Sequence, residues 1–247
     1  MAVDTQISDN IMWITLNRPE AGNALNGDVG EGLSAAFAEV ATNDDIRVVV
    51  VTGAGEKIFC AGMDLKAFAA GMDMAPVARG LDALRTCEKP VIAAVNGVAL
   101  AGGFEVMMSC DLVVAVSHAK FGIPEVKRGL FAAGGGTRLP TRIPLTVALE
   151  MGMTGDPISP ERALHLGLIN QVVPADELLS ATAALAARIT ANGPLAVRAT
   201  KKLMYMEIPD ANTKALGEAT AQVFASEDAR EGATAFAQKR APEWKGR

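Results

Sequence analysis

Aromatic side chains are scarce in this sequence, 4% of 247 residues. The core therefore has to be built from Ala, Val, Leu and Met, with small side chains and close helix contacts. Imidazole is scarcer still, His118 and His165 being the two histidines. The three cysteines, Cys60, Cys87 and Cys110, stand far apart and form no C-x-x-C pair. That shortage argues against a zinc or iron site. An odd, widely spaced set also argues against a disulfide framework and for a reducing, cytoplasmic compartment. No run of ~20 apolar residues escapes interruption by charge, Gly or Pro, so no membrane span is expected. The first residues, MAVDTQISDN, lack the basic-then-apolar order of a secretory signal. Excess positive charge is missing too: the formal net charge is −5, which provides no electrostatic footprint for nucleic acid. The basic pairs Lys127-Arg128 and Lys201-Lys202 read as solvated faces.

What is present is an ordinary globular balance, 50% hydrophobic against 21% charged, in a chain long enough for one sizeable core. Ile11 to Asn17 reads as a strand ending at the turn around Pro19. From Asp28 to about Ala41 apolar residues recur at helical spacing, at Val29, Leu33, Phe37 and Val40. Arg47 to Thr52 is short, β-branched and continuously apolar, as a buried parallel strand should be. Pro90 to Val95 and Asp111 to Val116 repeat that texture. Strands alternating with helices predict βαβ units with right-handed crossovers. Ser159-Pro160 is a helix start, an N-cap followed by proline at the first helical position, and Gly167 suits its end. A short apolar piece, Leu168 to Val173, follows. From Asp176 to Lys239 the pattern is helical, with breaks near Asn192-Gly193-Pro194 and Pro209. The expected organisation is an α/β core over 1–190 and a helical subdomain over 191–247.

Three segments carry the candidate chemistry. In Phe59-Cys-Ala-Gly-Met-Asp-Leu-Lys66 a glycine turn leads toward a helix, whose free N–H groups can donate to an anionic oxygen. In Ala94 to Glu105, Gly102-Gly103 opens a helical run, and glycine there lets the backbone approach a ligand closely. Glu105 sits in that first turn among Phe104, Val106, Met107 and Met108, costly company for a carboxylate without a partner or a task. In Lys120 to Glu125, Glu125 lies between a strand-like piece and the glycine-rich stretch 129–136. Each has an ordinary explanation alone: a common turn, a glutamate favouring a helix dipole, a loop carboxylate. Together they supply two backbone turns and two carboxylates within a short stretch of chain.

At these residues the chain resembles the crotonase superfamily, and within it the enoyl-CoA hydratase/isomerase family. The stretch AAVNGVALAGGFEVMMSCDLVVAVSHAKFGIPEVKRG carries the resemblance, with FCAGMDLK, ITLNRPEAGNALN and EDAREGATAFAQKRAPEW. It implies a crotonase-like spiral of repeated ββα units with a C-terminal helical trimerisation subdomain, in homotrimers or pairs of trimers. It implies acyl-CoA thioester substrates, coenzyme A being part of the substrate, with no separate cofactor and no metal. Met63 and Gly102 match the positions whose backbone N–H groups form an oxyanion hole, and Glu105 and Glu125 match the two glutamates of true hydratases. Ala24 and the loop Ala61, Gly62, Asp64, Leu65 and Lys66 match the coenzyme A groove. Phe236 and Lys239 match residues reaching a neighbouring subunit's ligand. The chain departs from the family at Ala132 and Ala133, where proline and glycine are frequent; the Ala133 N–H is expected to help seat a water. Residues 67–84 show little of the family pattern and are expected to shape the acyl pocket.

The implied reaction adds water across an α,β-unsaturated thioester. Two backbone donors would stabilise the enolate, Glu105 would activate the water and Glu125 would protonate C2. Two carboxyls in one pocket suit that division, because like charges push one pKa upward. The alternatives are a Δ3–Δ2 enoyl-CoA isomerase, for which one carboxylate suffices, and a non-catalytic acyl-CoA-binding regulator.

Overall fold

The computed structural model describes residues 1–206, 217, 220–221 and 223–243. The expected break at Pro209 and the terminal Trp244 of the C-terminal motif lie outside the described residues.

The chain opens with a hairpin, β1 (Val3–Ser8) antiparallel to β2 (Ile11–Leu16). Its two-residue connection, Asp9-Asn10, holds both residues at positive φ, 53° and 63°, the turn that matches strand twist. Helix α1 (Gly27–Thr42) is capped by Asn26, whose side chain accepts the Val29 N–H at 3.0 Å. β3 (Val48–Gly53) is buried along its whole length. It runs parallel to β2 on one side and to β5 (Val91–Val95) on the other. β7 (Leu112–Val116) and β9 (Gln171–Val173) extend the same parallel sheet. Continuous Val/Ile/Ala runs are the signature of such strands, covered on both faces. Helix α7 (Leu178–Thr190) packs against β3, β5 and β7, and α1 against β1 and β2.

A second sheet of three-residue strands stands beside the first: β4 (Ile58–Cys60), β6 (Val98–Leu100) and β8 (Lys120–Gly122), parallel and in that order. Each follows one long strand: β3 leads to β4, β5 to β6 and β7 to β8. A helical segment comes next, α2 (Leu65–Ala69) with α3 (Ala75–Arg85) after β4, and α4 (Gly102–Ser109) after β6. Every ββα turn thus advances one place along both sheets, which is the spiral that the resemblance implies. The helix expected after Ser159 is α6 (Pro160–His165); the Ser159 hydroxyl accepts the Arg162 N–H at 3.3 Å, and Gly167 follows at φ 74°. Between β8 and α6 lies α5 (Leu145–Thr154).

Helices α1 and α3 touch backbone to backbone. A Cβ on Gly30 would lie 2.3 Å from the Pro76 carbonyl oxygen, and one on Gly80 would lie 2.5 Å from that of Gly30. Alanine in a helix ordinarily gains about 1 kcal/mol over glycine, but here overpacking should outweigh that gain. Gly80→Ala is expected to lose about 2 kcal/mol net, measured as a lower denaturation midpoint at unchanged slope.

After α7 comes α8 (Pro194–Met206). The last described helix, Glu227–Gln238, lies on the 3-10 turn Pro124–Arg128. Gly232 makes that approach possible, since a Cβ there would meet the Arg128 carbonyl at 2.0 Å. Among the described residues no helix is long and apolar enough to cross a membrane, and no cluster of three potential metal ligands occurs.

Candidate active site

The first glycine turn leaves β4 at Cys60. The Leu25 N–H donates to the Gly62 carbonyl at 2.8 Å and the Asp64 N–H to the Leu25 carbonyl at 2.9 Å. This parallel bridge passes around Met63, whose own N–H has no hydrogen bond among the described residues. Gly62 holds φ at 102°, where a side chain would be strained. Asp64 caps α2, accepting the Ala67 N–H at 3.1 Å, and pairs with Arg18 at 3.0 Å. Burial works against its ionisation, but the Ala67 N–H and Arg18 outweigh burial and hold the pKa low. Arg18 also donates to the Ala24 carbonyl at 2.8 Å, and the Ala61 N–H donates to the Gly22 carbonyl at 2.9 Å. Ala24 and the 61–66 loop are thus tied together, with Leu65 half-buried and Lys66 exposed beside them.

The second turn leaves β6 through Ala101, at φ 50° and ψ −128°. A non-glycine residue held there costs roughly 1–3 kcal/mol, and such strain concentrates at functional sites. The Ala101 N–H, bonded to the Gly122 carbonyl at 3.0 Å, pins it. Gly102 is the first residue of α4, so its N–H has no partner within the helix. The two turns meet through glycine. A Cβ on Gly62 would lie 3.1 Å from the Gly102 nitrogen, one on Gly102 would lie 3.5 Å from the Met63 nitrogen, and one on Gly103 would lie 2.0 Å from the Cys60 oxygen. The free N–H groups of residues 63 and 102 therefore stand side by side. Paired donors of this kind can hold an oxygen that gains negative charge.

Glu105 is 6% exposed. Its Oε1 accepts the Gly136 N–H at 2.9 Å, and a Cβ on Gly134 would come 2.4 Å from its Oε2. The turn Gly134-Gly135-Gly136 wraps this carboxyl. Burial raises the Glu105 pKa, and the Gly136, Gly134 and Gly135 amides with the Arg85 charge oppose that rise. Glu125 sits in the 3-10 turn, and its Oε2 is buried without a hydrogen-bond partner. Burial pushes its pKa up to about 7; its own backbone amide opposes, and the charge of Glu105 adds to the rise. Two neighbouring carboxyls, both raised by burial, mark a site suited to taking and giving protons.

The structure bears differently on three expectations. The acids were expected to face a single pocket; each borders a cavity of its own, and the charge of Glu105 still reaches Glu125. Glu125 borders an apolar cavity of about 230 Å³ with Ile123, Phe131, Leu139 and Met153, whereas Glu105 borders a polar one of about 220 Å³. The glycine turn borders both, because Gly136 lines the first and Gly134 and Gly135 the second. The Ala133 N–H, expected to seat a water, instead donates to the Phe131 carbonyl at 2.8 Å, so the tight turn itself uses it. Phe236 and Lys239, matched to residues that reach a neighbouring subunit's ligand, lie at the surface: Phe236 is exposed under the Arg128 guanidinium at 4.7 Å, and Lys239 lines a cavity with Lys127 and Arg128. The glycine cradle of Glu105 is the part that sequence reasoning missed. Gly134-Gly135-Gly136 was visible as a glycine run, but not its contact with a residue thirty positions earlier.

Fold and site define a class: an α/β spiral enzyme with paired free amides and two perturbed carboxyls. The family model described as enoyl-CoA hydratase/isomerase matches residues 6–247. A chain 38% identical over 255 residues, covering 100% of both, is the (E)-benzylidenesuccinyl-CoA hydratase of Thauera aromatica. The short-chain-enoyl-CoA hydratase of Clostridium acetobutylicum is 38% identical over 237 residues, 92% of this chain and 91% of that one. The crystal structure of carnitinyl-CoA hydratase from Mycobacterium avium superposes with a TM-score of 0.92 at 42% identity, covering 100% of this chain and 99% of the other. The chain belongs to the enoyl-CoA hydratase/isomerase family of the crotonase superfamily.

Proposed function

We propose that this enzyme adds water across the 2,3 double bond of an α,β-unsaturated acyl-CoA. The thioester oxygen rests between the Met63 and Gly102 amides. The observation that carries this reading is the pair of free N–H groups set side by side by Gly62 and Gly102, with two carboxyls of raised pKa nearby. As the hydroxyl of water bonds to C3, the double-bond electrons move to C2 and the thioester oxygen takes up negative charge. Two donors fixed in advance lower that barrier, each by about 3–4 kcal/mol. Glu105, with amide donors that favour its charged form, takes the water's proton. Glu125, whose unpartnered oxygen favours the protonated form, delivers a proton to C2.

The test is loss of enoyl-thioester absorbance on mixing with crotonyl-CoA, with the 3-hydroxyacyl product identified by mass. No product across enoyl-CoA esters of graded length and bulk overturns the reading. The rival is the Δ3–Δ2 isomerase. It is favoured by one feature, the buried Glu125 Oε2 that has no hydrogen-bond partner, and a 3-enoyl-CoA turned over faster than crotonyl-CoA would select it.

The pH dependence has a sign. Glu125 must be protonated to act, so kcat/KM should fall as pH rises through about 7. Glu105 must be ionised, so activity should also be lost as falling pH protonates it, and burial raises the pH at which that happens. A bell is expected, its two limbs belonging to the coupled pair. A profile flat from about pH 6 to about pH 9 would remove Glu125 as the proton donor.

We further propose a cytoplasmic homotrimer or hexamer that needs no cofactor beyond the substrate's own coenzyme A, which lies along Ala24 and the 61–66 loop. The compartment is supported by thiols kept unreactive by burial, Cys60 being pushed up to about 12. The assembly is supported by exposed Leu195, Leu203, Met204 and Met206 on α8. The proposed division, a core of 1–190 and a helical part of 191–247, follows the end of α7 at Thr190.

A further inference from the structure

The cavity on the Glu105 side has a chemistry that water addition does not require. Three guanidinium groups line it: Arg85 from the end of α3, Arg138 in the 3-10 segment Gly136–Thr141, and Arg142 at its edge. Ser109, Thr141 and Tyr205 complete the polar wall; among the described residues the one lining carboxyl is Glu105, and the Tyr205 hydroxyl donates to Asp111 at 2.9 Å behind it. Across the glycine turn the Glu125 cavity is walled by Ile123, Phe131, Leu139 and Met153. An apolar acyl tail is served by that second cavity and gains nothing from the first.

The three arginines are not equally occupied. Arg142 donates toward the Met108 and Cys110 carbonyls, at 3.4 and 3.5 Å, and toward the Tyr205 hydroxyl at 3.2 Å, and so closes the end of α4. Arg85 pairs with Asp82 at 2.8 Å, both side chains well exposed, a contact of small value that is easily given up. Arg138 is half-buried, and its side chain makes no hydrogen bond or ion pair among the described residues. A guanidinium offers five donors in a planar fork that fits a carboxylate bidentately. The cationic pocket touches the carboxyl that the hydratase reading places beside C3.

Resting on the hydratase reading above, we infer that the substrate is the thioester of a dicarboxylic acid. Its second, free carboxylate lies beyond C3 and is received by Arg138, with Arg85 beside it. Arg138 is a specificity residue; it takes no part in moving protons.

The test compares a 2-enoyl-CoA with its ω-carboxylate counterpart of equal length, and measures turnover and binding separately. Wild-type kcat/KM should favour the carboxylate substrate by about tenfold or more. Arg138→Gln should abolish that preference while leaving the neutral substrate within about twofold, and Arg138→Lys should restore part of it. Calorimetric binding of the two saturated thioesters reports the same preference without any turnover. Hydration of both substrates with no preference, or equal binding of both thioesters, overturns this inference and leaves the hydratase reading standing. Absence of any hydration overturns the hydratase reading, and the binding arm still decides the carboxylate. If Arg138→Gln weakens coenzyme A alone as much as the charged thioester, the arginine reads the nucleotide phosphates and the inference fails. Should Arg138→Gln not fold, Arg85→Gln in the same binding assay takes its place.

Discussion

Glu125→Gln and Glu105→Gln are each expected to lower kcat for crotonyl-CoA hydration by about 10²–10⁴, with thioester binding little changed. The substitution keeps shape and removes the proton chemistry. At residue 125 it replaces an acid poised at about 7 by an amide that has no acidic proton to give C2. It also removes the group whose ionisation ends activity as pH rises, so the basic limb should vanish while the acid limb, which belongs to buried Glu105, stays in place. At residue 105 the amide can still meet the Gly136 N–H through its oxygen, so the cradle should survive while the base is lost. Because both groups act on one addition, the double variant should lose far less than the product of the two single losses. Turnover unchanged in either single variant would mean that the retained pair is structural. Full additivity would mean that the acids, lining separate cavities, never meet on one substrate.

Met63→Pro is expected to cost about 10²–10³ in kcat, the usual price of one oxyanion donor. Proline removes an N–H, and at most positions that also breaks a hydrogen bond. Here it should not, since the bonds flanking this position run from the Leu25 N–H to the Gly62 carbonyl and from the Asp64 N–H to the Leu25 carbonyl. Met63 sits in a parallel bridge with Leu25 that does not use its own N–H, so the fold is expected to hold. Met63→Ala is the control: it truncates the side chain and keeps the amide, and it should lose far less. Circular dichroism melts of both variants separate local misfolding from loss of the donor. If Met63→Pro folds and turns over as Met63→Ala does, the thioester oxygen lies elsewhere.

Much of the fold was legible before any coordinates. Arg47 to Thr52, Pro90 to Val95 and Asp111 to Val116 announced parallel strands because their runs of β-branched and small apolar residues leave no solvent face. The Ser159-Pro160 start and the Gly167 stop were readable because caps are local chemistry. The short strands β4, β6 and β8 were not readable. Three residues are too few to show a period, and what makes them a sheet is one another. β1 was missed because its edge position leaves a polar sequence, VDTQIS, with little to bury. The site divides in the same way. Glu105 stood out by sitting among Phe104, Val106 and two methionines. Glu125 did not, because its desolvation comes from Phe131, Leu139 and Met153, which its own segment does not contain.

What the sequence by itself determined is the set of parts: two glycine turns with spare amides, two acids, and apolar runs that must pair in parallel. These are properties of residue type and near neighbours, which act over a few positions. What only the tertiary structure decided is which parts face each other. The Gly134–Gly136 turn closes on Glu105, the Ala133 amide is spent within its own loop, and the acids stand on two sides of that turn, one among apolar side chains and one among arginines. Such juxtapositions join residues far apart in the chain. They depend on close packing without gaps, which no local pattern encodes.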